Sequence, residues 1–169
     1  MINRFLYSLG KSFNIQYNKT FIFPILLFFA LISCENSTIY KSSINYESGW
    51  HKDSIAIFEV MLTDTAQVMD FILTFSHIDK YRYNNFWIFA SVENFESNTL
   101  HKDTIELFMA YPDGSWFGKK KGENFEISTY YKHAVKIMHP GNYRFEFRQG
   151  MRIENLEEMN NVSFKIIKR

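Results

Sequence analysis

Apolar and polar residues alternate along much of the chain, and this pattern predicts β-strands. The alternation is clearest over residues 142–148, where three aromatic residues alternate with polar ones, and residues 71–76 follow the same pattern. A period of two indicates strands with one buried face. Shorter apolar or alternating stretches predict further strands at residues 54–60, 86–92, 104–110, 135–137 and 162–166.

The positions between these stretches complete the predicted fold. Turn sequences such as Pro112-Asp113-Gly114 and Pro140-Gly141-Asn142 separate the strands. Residues 86–92 are apolar on both faces, which predicts a central strand with Trp87 in the core. One short helix is predicted, over the Glu-rich residues 153–160. The chain is therefore predicted to be all-β, an antiparallel β-sandwich of about seven to eight strands; closure into a barrel is the alternative.

The region before the strands has a different pattern. Residues 21–33 are apolar and uncharged, too short to span a bilayer as a helix, which needs about 20 residues. Basic residues precede this run, and Leu31-Ile32-Ser33-Cys34 follows the pattern of a lipobox. The sequence thus predicts a lipoprotein signal peptide, cleaved between Ser33 and Cys34, with lipid on Cys34. The predicted organisation is 1–33 signal peptide (removed), 34–48 flexible tether and 49–169 β-sandwich domain.

Charge and cysteine content narrow the functional classes. Cys34 is the only cysteine, so a domain that begins there has no disulfide and no thiolate metal site. The whole chain carries 19 basic and 18 acidic residues. Removing residues 1–33 takes away three basic residues and no acidic one, which leaves a net charge near −2. This balance argues against nucleic acid as a partner, because nucleic-acid-binding domains carry a clear positive excess.

Catalytic and metal-binding motifs are incomplete. The five histidines are scattered and none has the i, i+4 spacing of a zinc-binding helix. Gly114 to Lys120 is one residue short of a phosphate-binding loop and lacks its hydroxyl residue. We therefore predict no catalytic residues, no metal and no cofactor. A hydrolase remains a weaker alternative, in which the fold would bring His77 or His101 to a carboxylate in a polar pocket.

Two features are candidate contact sites for a ligand or partner. Trp116 follows the turn at Asp113-Gly114 and is a candidate platform for stacking on sugars. Lys119, Lys120 and Lys121 lie between two glycines and are candidates for contact with anionic lipid or glycan. A solvated turn is the simpler interpretation of the three lysines. A glycan-binding β-sandwich surface lipoprotein is accordingly the alternative function.

The order of several short motifs resembles the gliding-motility lipoprotein GldH family of Bacteroidota, over nearly all of residues 34–169. The motifs that carry the resemblance are residues 50–58, Thr63-Asp64-Thr65, His77 with Tyr81-x-Tyr83-x-Asn85-x-Trp87-x-Phe89, Asp103-Thr104-Ile105-Glu106, Gly114-Ser115-Trp116-Phe117-Gly118, Gly141-Asn142-Tyr143, and Gln149-Gly150-Met151-Arg152 with Leu156. Two positions depart from the pattern. Ser76 stands where a basic residue is expected, and Lys119–Lys121 replaces a more glycine-rich turn.

The resemblance implies a non-enzymatic accessory lipoprotein of gliding motility and of the associated type IX secretion of adhesins. Its implied partners are a membrane, contacted through lipid on Cys34, and other gliding or type IX secretion proteins. The implied location is the cell envelope, with the lipid anchor in the outer membrane. Cys34 is the single site residue that the resemblance transfers to this chain.

Overall fold

Residues 37–169 of the computed structural model contain eleven β-strands and no α-helix. In chain order the strands are β1 (Thr38–Asn45), β2 (Trp50–His51), β3 (Ala56–Leu62), β4 (Met69–Ile78), β5 (Asn85–Asn94), β6 (Thr99–Phe108), β7 (Lys119–Lys121), β8 (Asn124–Val135), β9 (Gly141–Gln149), β10 (Asn155–Leu156) and β11 (Met159–Lys168). Eight of them have seven or more residues. The predicted number of strands is therefore close to the observed number of long ones.

The strands form two antiparallel sheets and a small ribbon. The five-stranded sheet has the order β1-β11-β4-β8-β7, the four-stranded sheet has the order β3-β9-β5-β6, and β2 pairs with β10. Every pairing is antiparallel. This confirms the prediction of an all-β antiparallel sandwich, and β5 is a central strand as the sequence indicated.

The core lies between the two sheets and is built largely from aromatic rings. Phe164 of the five-stranded sheet packs against Phe58, Phe145 and Phe147 of the other sheet, with ring centroids 4.7–5.5 Å apart. All four side chains are at most 1% exposed. Burial of one such side chain stabilises the fold by about 2–3 kcal/mol. The alternating aromatic residues of β9 thus face inward, as their period of two predicted.

Trp50 packs into the core beside the two-stranded ribbon. Its fully buried ring stacks on Tyr46 at 5.1 Å and lies 6.3 Å from Phe75 and 5.9 Å from Phe86. The indole N–H donates to the carbonyl of Ser54 at 2.9 Å, so the buried donor is satisfied. The short ribbon therefore adds a large aromatic side chain to the contact between the sheets.

Two sequence predictions are wrong within the described residues. The flexible tether was predicted over 34–48, but Thr38–Asn45 forms β1 and pairs with β11 along its length. The helix predicted over 153–160 is absent; this segment contains β10 and the start of β11. Leu156 and Met159 are fully buried, and a helix would not place them in the ribbon and the sheet that they occupy.

Smaller differences concern strand limits and residues outside the described range. Of the strand predicted at 135–137, only Val135 lies in a strand, as the last residue of β8. The long and mostly polar part of β8 before it is not predicted from the sequence. The predicted signal peptide, its cleavage site at Ser33 and Cys34, and the lipid-bearing Cys34 lie before residue 37, outside the described residues. No helix suited to crossing a membrane occurs in the part of the chain that the structure describes.

Candidate interaction surface

The outer face of the four-stranded sheet carries an unusual number of exposed apolar side chains. Of the eleven large hydrophobic residues exposed in residues 37–169, six lie on this face. They are Ile57, Met61, Trp87, Phe89, Leu100 and Phe108. Most core-facing positions of the same sheet are also apolar, so this sheet has hydrophobic residues on both sides. We call this outer face the apolar face.

Strand register places Trp87 and Phe89 on β5, an interior strand, close to the end of the sheet where β9 finishes. In β5 they alternate with the buried Phe86 and Ile88, and successive strand residues point to opposite sides of a sheet. Trp87 is 37% exposed and Phe89 is 51% exposed. The prediction that Trp87 belongs to the core is therefore wrong. The apolar character of β5 on both faces reflects a central strand with one face open to solvent.

The two rings are held by the segment that follows β9. The N–H of Gly150 donates to the carbonyl of Trp87 at 2.7 Å, and the N–H of Trp87 approaches the Met151 sulfur at 3.4 Å. A Cβ atom on Gly150 would lie 3.1 Å from the ring of Phe89. Glycine at this position thus allows the Phe89 ring to lie directly against the backbone.

Two shallow grooves flank these aromatic residues. One, of about 610 Å³, is lined by Phe89 and Leu100 together with the charged residues Lys102, Glu146 and Arg148. The other, of about 490 Å³, is lined mainly by Tyr83, Asn85, Trp87, Gly150, Met151, Arg152 and Ile153. Both volumes fall in the range of about 300–1,000 Å³ that is typical of ligand sites. The apolar face is therefore contoured rather than flat.

Charged side chains on the apolar face are interconnected. Glu146 lies between Arg144 at 3.1 Å and Arg148 at 3.4 Å, and Ser91 donates to its carboxylate at 3.4 Å. Nearby, the Asn85 amide donates to Glu106 at 2.7 Å. Aromatic residues, methionine and arginine are the residue types that are enriched at protein–protein interfaces. The apolar face therefore carries several of the residue types that are enriched at protein–protein interfaces.

Trp116 is not an open platform. Its ring meets His77 edge to face at 4.7 Å, and its indole N–H donates to the carboxylate of Asp79 at 2.8 Å. The side chain is half-buried and packs against the core. Trp116 is thus less exposed than Trp87, although it follows a turn and Trp87 lies within a strand. Its role as a contact residue stays a prediction.

The three lysines form a short edge strand rather than a loop tip. Lys119, Lys120 and Lys121 make up β7 and pair with β8. Lys121 forms an ion pair with Glu126 at 3.2 Å, and the Lys120 ammonium lies 5.8 Å from the Phe125 ring centroid. All three remain exposed. Their role as contact residues stays a prediction.

His77 lies inside an aromatic cluster. It is fully buried against Tyr81, Trp116 and Phe125, and its Nδ1–H donates to the carbonyl of Ile78 at 2.9 Å. Burial lowers the pKa of the imidazole below its usual 6.5, so the ring is held neutral. Within residues 37–169, no group of three His, Cys, Asp or Glu side chains is arranged to hold a metal ion. These contacts suit packing better than proton transfer to a substrate.

The comparisons with known proteins agree with the sequence resemblance. The sequence model of the GldH lipoprotein family matches residues 38–166, from the start of β1 into β11. A Christiangramia forsetii protein, "Gliding motility lipoprotein GldH homolog", is 34% identical over 157 residues, which are 88% of this chain and 93% of the relative. The Flavobacterium johnsoniae "Gliding motility lipoprotein GldH" is 29% identical over 143 residues, which are 80% of this chain and 88% of that protein.

Similarity to solved structures is weak. A carbohydrate-binding module specific for non-crystalline cellulose aligns with 76% of this chain and 73% of its own, with 8% identity and a TM-score of 0.39. A similarity of this size supports no argument about what this chain binds.

Proposed function

The chain belongs to the GldH lipoprotein family, and from this we propose that it is a lipid-anchored, non-enzymatic accessory protein of gliding motility and of type IX secretion of adhesins. The names of the relatives support a lipoprotein linked to gliding motility. We propose that cleavage between Ser33 and Cys34 leaves lipid on Cys34 and anchors the domain in the outer membrane. Two or more acyl chains are needed for stable attachment, because one gives only marginal binding.

The composition of the apolar face is the observation that supports a binding role. Six large hydrophobic side chains are exposed there beside Arg144, Arg148 and Arg152. Exposed apolar patches of this kind mark interaction sites in soluble domains. We infer that the protein acts by docking another protein of the gliding or secretion apparatus on this face. Trp87 and Phe89, the two exposed aromatic residues of the interior strand β5, are the expected anchor residues.

Surface variants in cells test the docking role. A deletion strain is complemented with the wild-type gene, with Trp87→Ser plus Phe89→Ser, or with the control Tyr130→Ser. Tyr130 is 56% exposed but lies on the other sheet, so its replacement removes an exposed aromatic ring without touching the apolar face. The double variant is expected to accumulate in membranes at wild-type levels and to fail in colony spreading. Normal spreading by the double variant would contradict docking at this face.

A second measurement separates docking from the wider assignment to gliding. A photo-crosslinking residue replacing Leu100 is expected to capture one discrete partner, whereas the same residue replacing Tyr130 is not. The deletion strain itself is expected to lose spreading and adhesin export. If the deletion changed neither, the accessory role would be wrong; if the deletion alone had an effect and the crosslink failed, only the docking face would be wrong.

A further inference from the structure

The outer face of the five-stranded sheet has the opposite character to the apolar face. Two neighbouring rows of side chains cross four of its strands. One row runs from Asn45 through Asn161 and Ser76 to Glu126, and the other runs from Ser43 through Ser163 and Thr74 to Ser128. Seven of these eight residues carry a short hydroxyl or amide group. Lysine and other long charged residues are among those most often found on protein surfaces, so a floor of short polar groups is distinctive.

The short side chains leave a trough across the strands. Its volume is about 690 Å³, and longer residues bound it on both sides. Lys41 and Lys165 stand at one side; Tyr46, Glu47 and Lys121 stand at the other. Every lining residue is polar or tyrosine, with no aliphatic side chain among them. A ligand that fits this trough must itself be rich in hydrogen-bonding groups, because burying apolar groups against it would desolvate the floor without compensation.

Hydrogen bonds within the floor hold its groups in place. The amide of Asn161 donates to Asn45 at 2.6 Å, and the hydroxyls of Thr74 and Ser128 lie 2.8 Å apart. Ser76, in the middle of its row, is only 5% exposed. Each amide and hydroxyl can make more hydrogen bonds than these contacts use. The remaining donors and acceptors are therefore presented in a fixed pattern, which lowers the entropy lost when a ligand binds.

A pair of like charges at one side of the trough indicates the charge of the ligand. Lys41 and Lys165 are directly opposite each other on β1 and β11. Neither forms an ion pair with a carboxylate in the described part of the chain. Like charges directly opposite on neighbouring strands are destabilising. An anionic group placed between the two ammonium groups would remove this repulsion and form charge-assisted hydrogen bonds with both.

From this geometry we propose that the trough binds an acidic polysaccharide. Its hydroxyl groups lie over the Ser, Thr and Asn rows, and its carboxylate or sulfate group lies between Lys41 and Lys165. A polypeptide fits less well, because the trough offers no aliphatic surface for its side chains. This site is on the sheet opposite to the apolar face, so it is independent of the docking proposed above.

Binding measurements with defined polymers test the proposal. The full-length protein in detergent micelles is titrated with alginate, which is carboxylated, with dextran sulfate, which is sulfated, and with neutral dextran. Saturable binding is expected to at least one acidic polymer. Binding to dextran is expected to be about tenfold weaker, a difference of about 1.4 kcal/mol, because dextran has no anionic group to place between the two lysines. The better acidic polymer identifies the group that lies between the two lysines.

Variants locate the site. Lys41→Ala and Lys165→Ala are each expected to weaken binding about tenfold, and Thr74→Tyr, which fills the trough, is expected to abolish it. The matched control is Lys136→Ala, which removes an exposed lysine that does not line the trough and is expected to leave binding unchanged. The two lysine variants keep the test valid if Thr74→Tyr fails to fold. No binding to either acidic polymer, equal binding to dextran, or an equal loss with Lys136→Ala would overturn the proposal.

Discussion

The Tyr131 hydroxyl in β8 donates a hydrogen bond of 2.8 Å to the Asp103 carboxylate in β6 and so links the two sheets along one side of the sandwich. Lys132 adds an ion pair to the same carboxylate at 3.0 Å. The pKa of Asp103 is lowered below its usual 3.8, mainly by the hydrogen bond from Lys132. The hydrogen bond from Tyr131 lowers it further. Burial, reinforced by the carboxylate, raises the pKa of Tyr131 well above its usual value.

Replacing Tyr131 with phenylalanine removes this link and keeps the ring. We expect Tyr131→Phe to lower the free energy of unfolding by about 1 kcal/mol at neutral pH, the usual contribution of one hydrogen bond. Chemical denaturation measures this difference. Tyr130→Phe, at the exposed neighbouring position, is the control and is expected to have no effect.

The effect of Tyr131→Phe is also expected to depend on pH. A carboxylate whose pKa is lowered by folding stabilises the fold above its unfolded pKa and loses that contribution as the pH falls through its folded pKa. The difference in the free energy of unfolding between wild type and Tyr131→Phe should therefore be constant above pH 3.8, the usual pKa of aspartate. Below that pH the difference should narrow. A difference that grew in acid would contradict the assignment of Asp103 as a charged acceptor.

His77 makes the fold sensitive to mild acid. Burial lowers its pKa below 6.5, so protons bind more readily to the unfolded chain; the nearby Asp79 acts in the opposite direction but does not outweigh burial. The free energy of unfolding is expected to fall as the pH drops from 6.5 towards the folded-state pKa, by at most about 1.4 kcal/mol per pH unit. Chemical denaturation measures the free energy of unfolding at pH 7.5 and at pH 5.5. The change between these two pH values is expected to be smaller for His77→Phe than for wild type. His101→Gln, at an exposed position, should keep the wild-type difference.

Gly49 and Gly114 form a matched pair for testing backbone crowding. Both have positive φ angles, +85° and +86°. A Cβ atom on Gly49 would collide with the backbone of Glu157 and lie 2.6 Å from the Leu156 carbonyl oxygen, whereas one on Gly114 meets nothing within 4 Å. Both alanine variants should lower the free energy of unfolding by about 1 kcal/mol, because a residue with a Cβ atom is strained at a positive φ angle. Gly49→Ala is expected to lower the free energy of unfolding by about 2 kcal/mol more, because its Cβ atom overpacks the site. Thermal denaturation measures both variants. Equal losses of stability would show that the turn next to Leu156 moves to make room for the Cβ atom.

The predicted lipid anchor can be tested by metabolic labelling. Cys34→Ala is expected to yield an uncleaved precursor that incorporates no clickable fatty acid, because the thioether requires the sulfur of Cys34. Ser33→Ala keeps a small residue before the cysteine and should be labelled and cleaved normally. Since the chain has no other cysteine, label retained on Cys34→Ala would show that the lipid is attached to a different residue type and that the lipobox is misassigned.

The parts of the fold that were predicted correctly are those that local pattern determines. Residues 71–76 and 142–148 alternate cleanly, and both form strands whose apolar residues face the core. Trp87 was misplaced because alternation shows which residues share a face but not whether another layer covers that face. A strand with apolar residues on both sides, such as β5, is expected both in a sheet covered by another layer and in a sheet with an exposed binding face. The sequence pattern alone does not distinguish the two.

The errors arise where structure depends on distant partners. Thr38–Asn45 looked like a tether because it is rich in polar residues, but it pairs with β11, and Ser163 donates to the carbonyl of Ser42 across 121 residues of sequence. Leu156 and Met159 are spaced as a helix would have them, yet each is buried against a different strand. The polar trough was missed for the same reason, because its two rows exist only after four separate strands are placed side by side.

The pairing of β1 with β11 also sets the order in which the domain can be completed. Among the strands of residues 37–169, β1 comes first in the chain, and its partner in the sheet is β11, the last one. Until β11 emerges, the edges of both β1 and β4 that it occupies are unpaired, and such edges are prone to aggregation. Contacts this distant in sequence also slow folding. Pairing of β11 with both β1 and β4 should therefore be a late step in the folding of the domain.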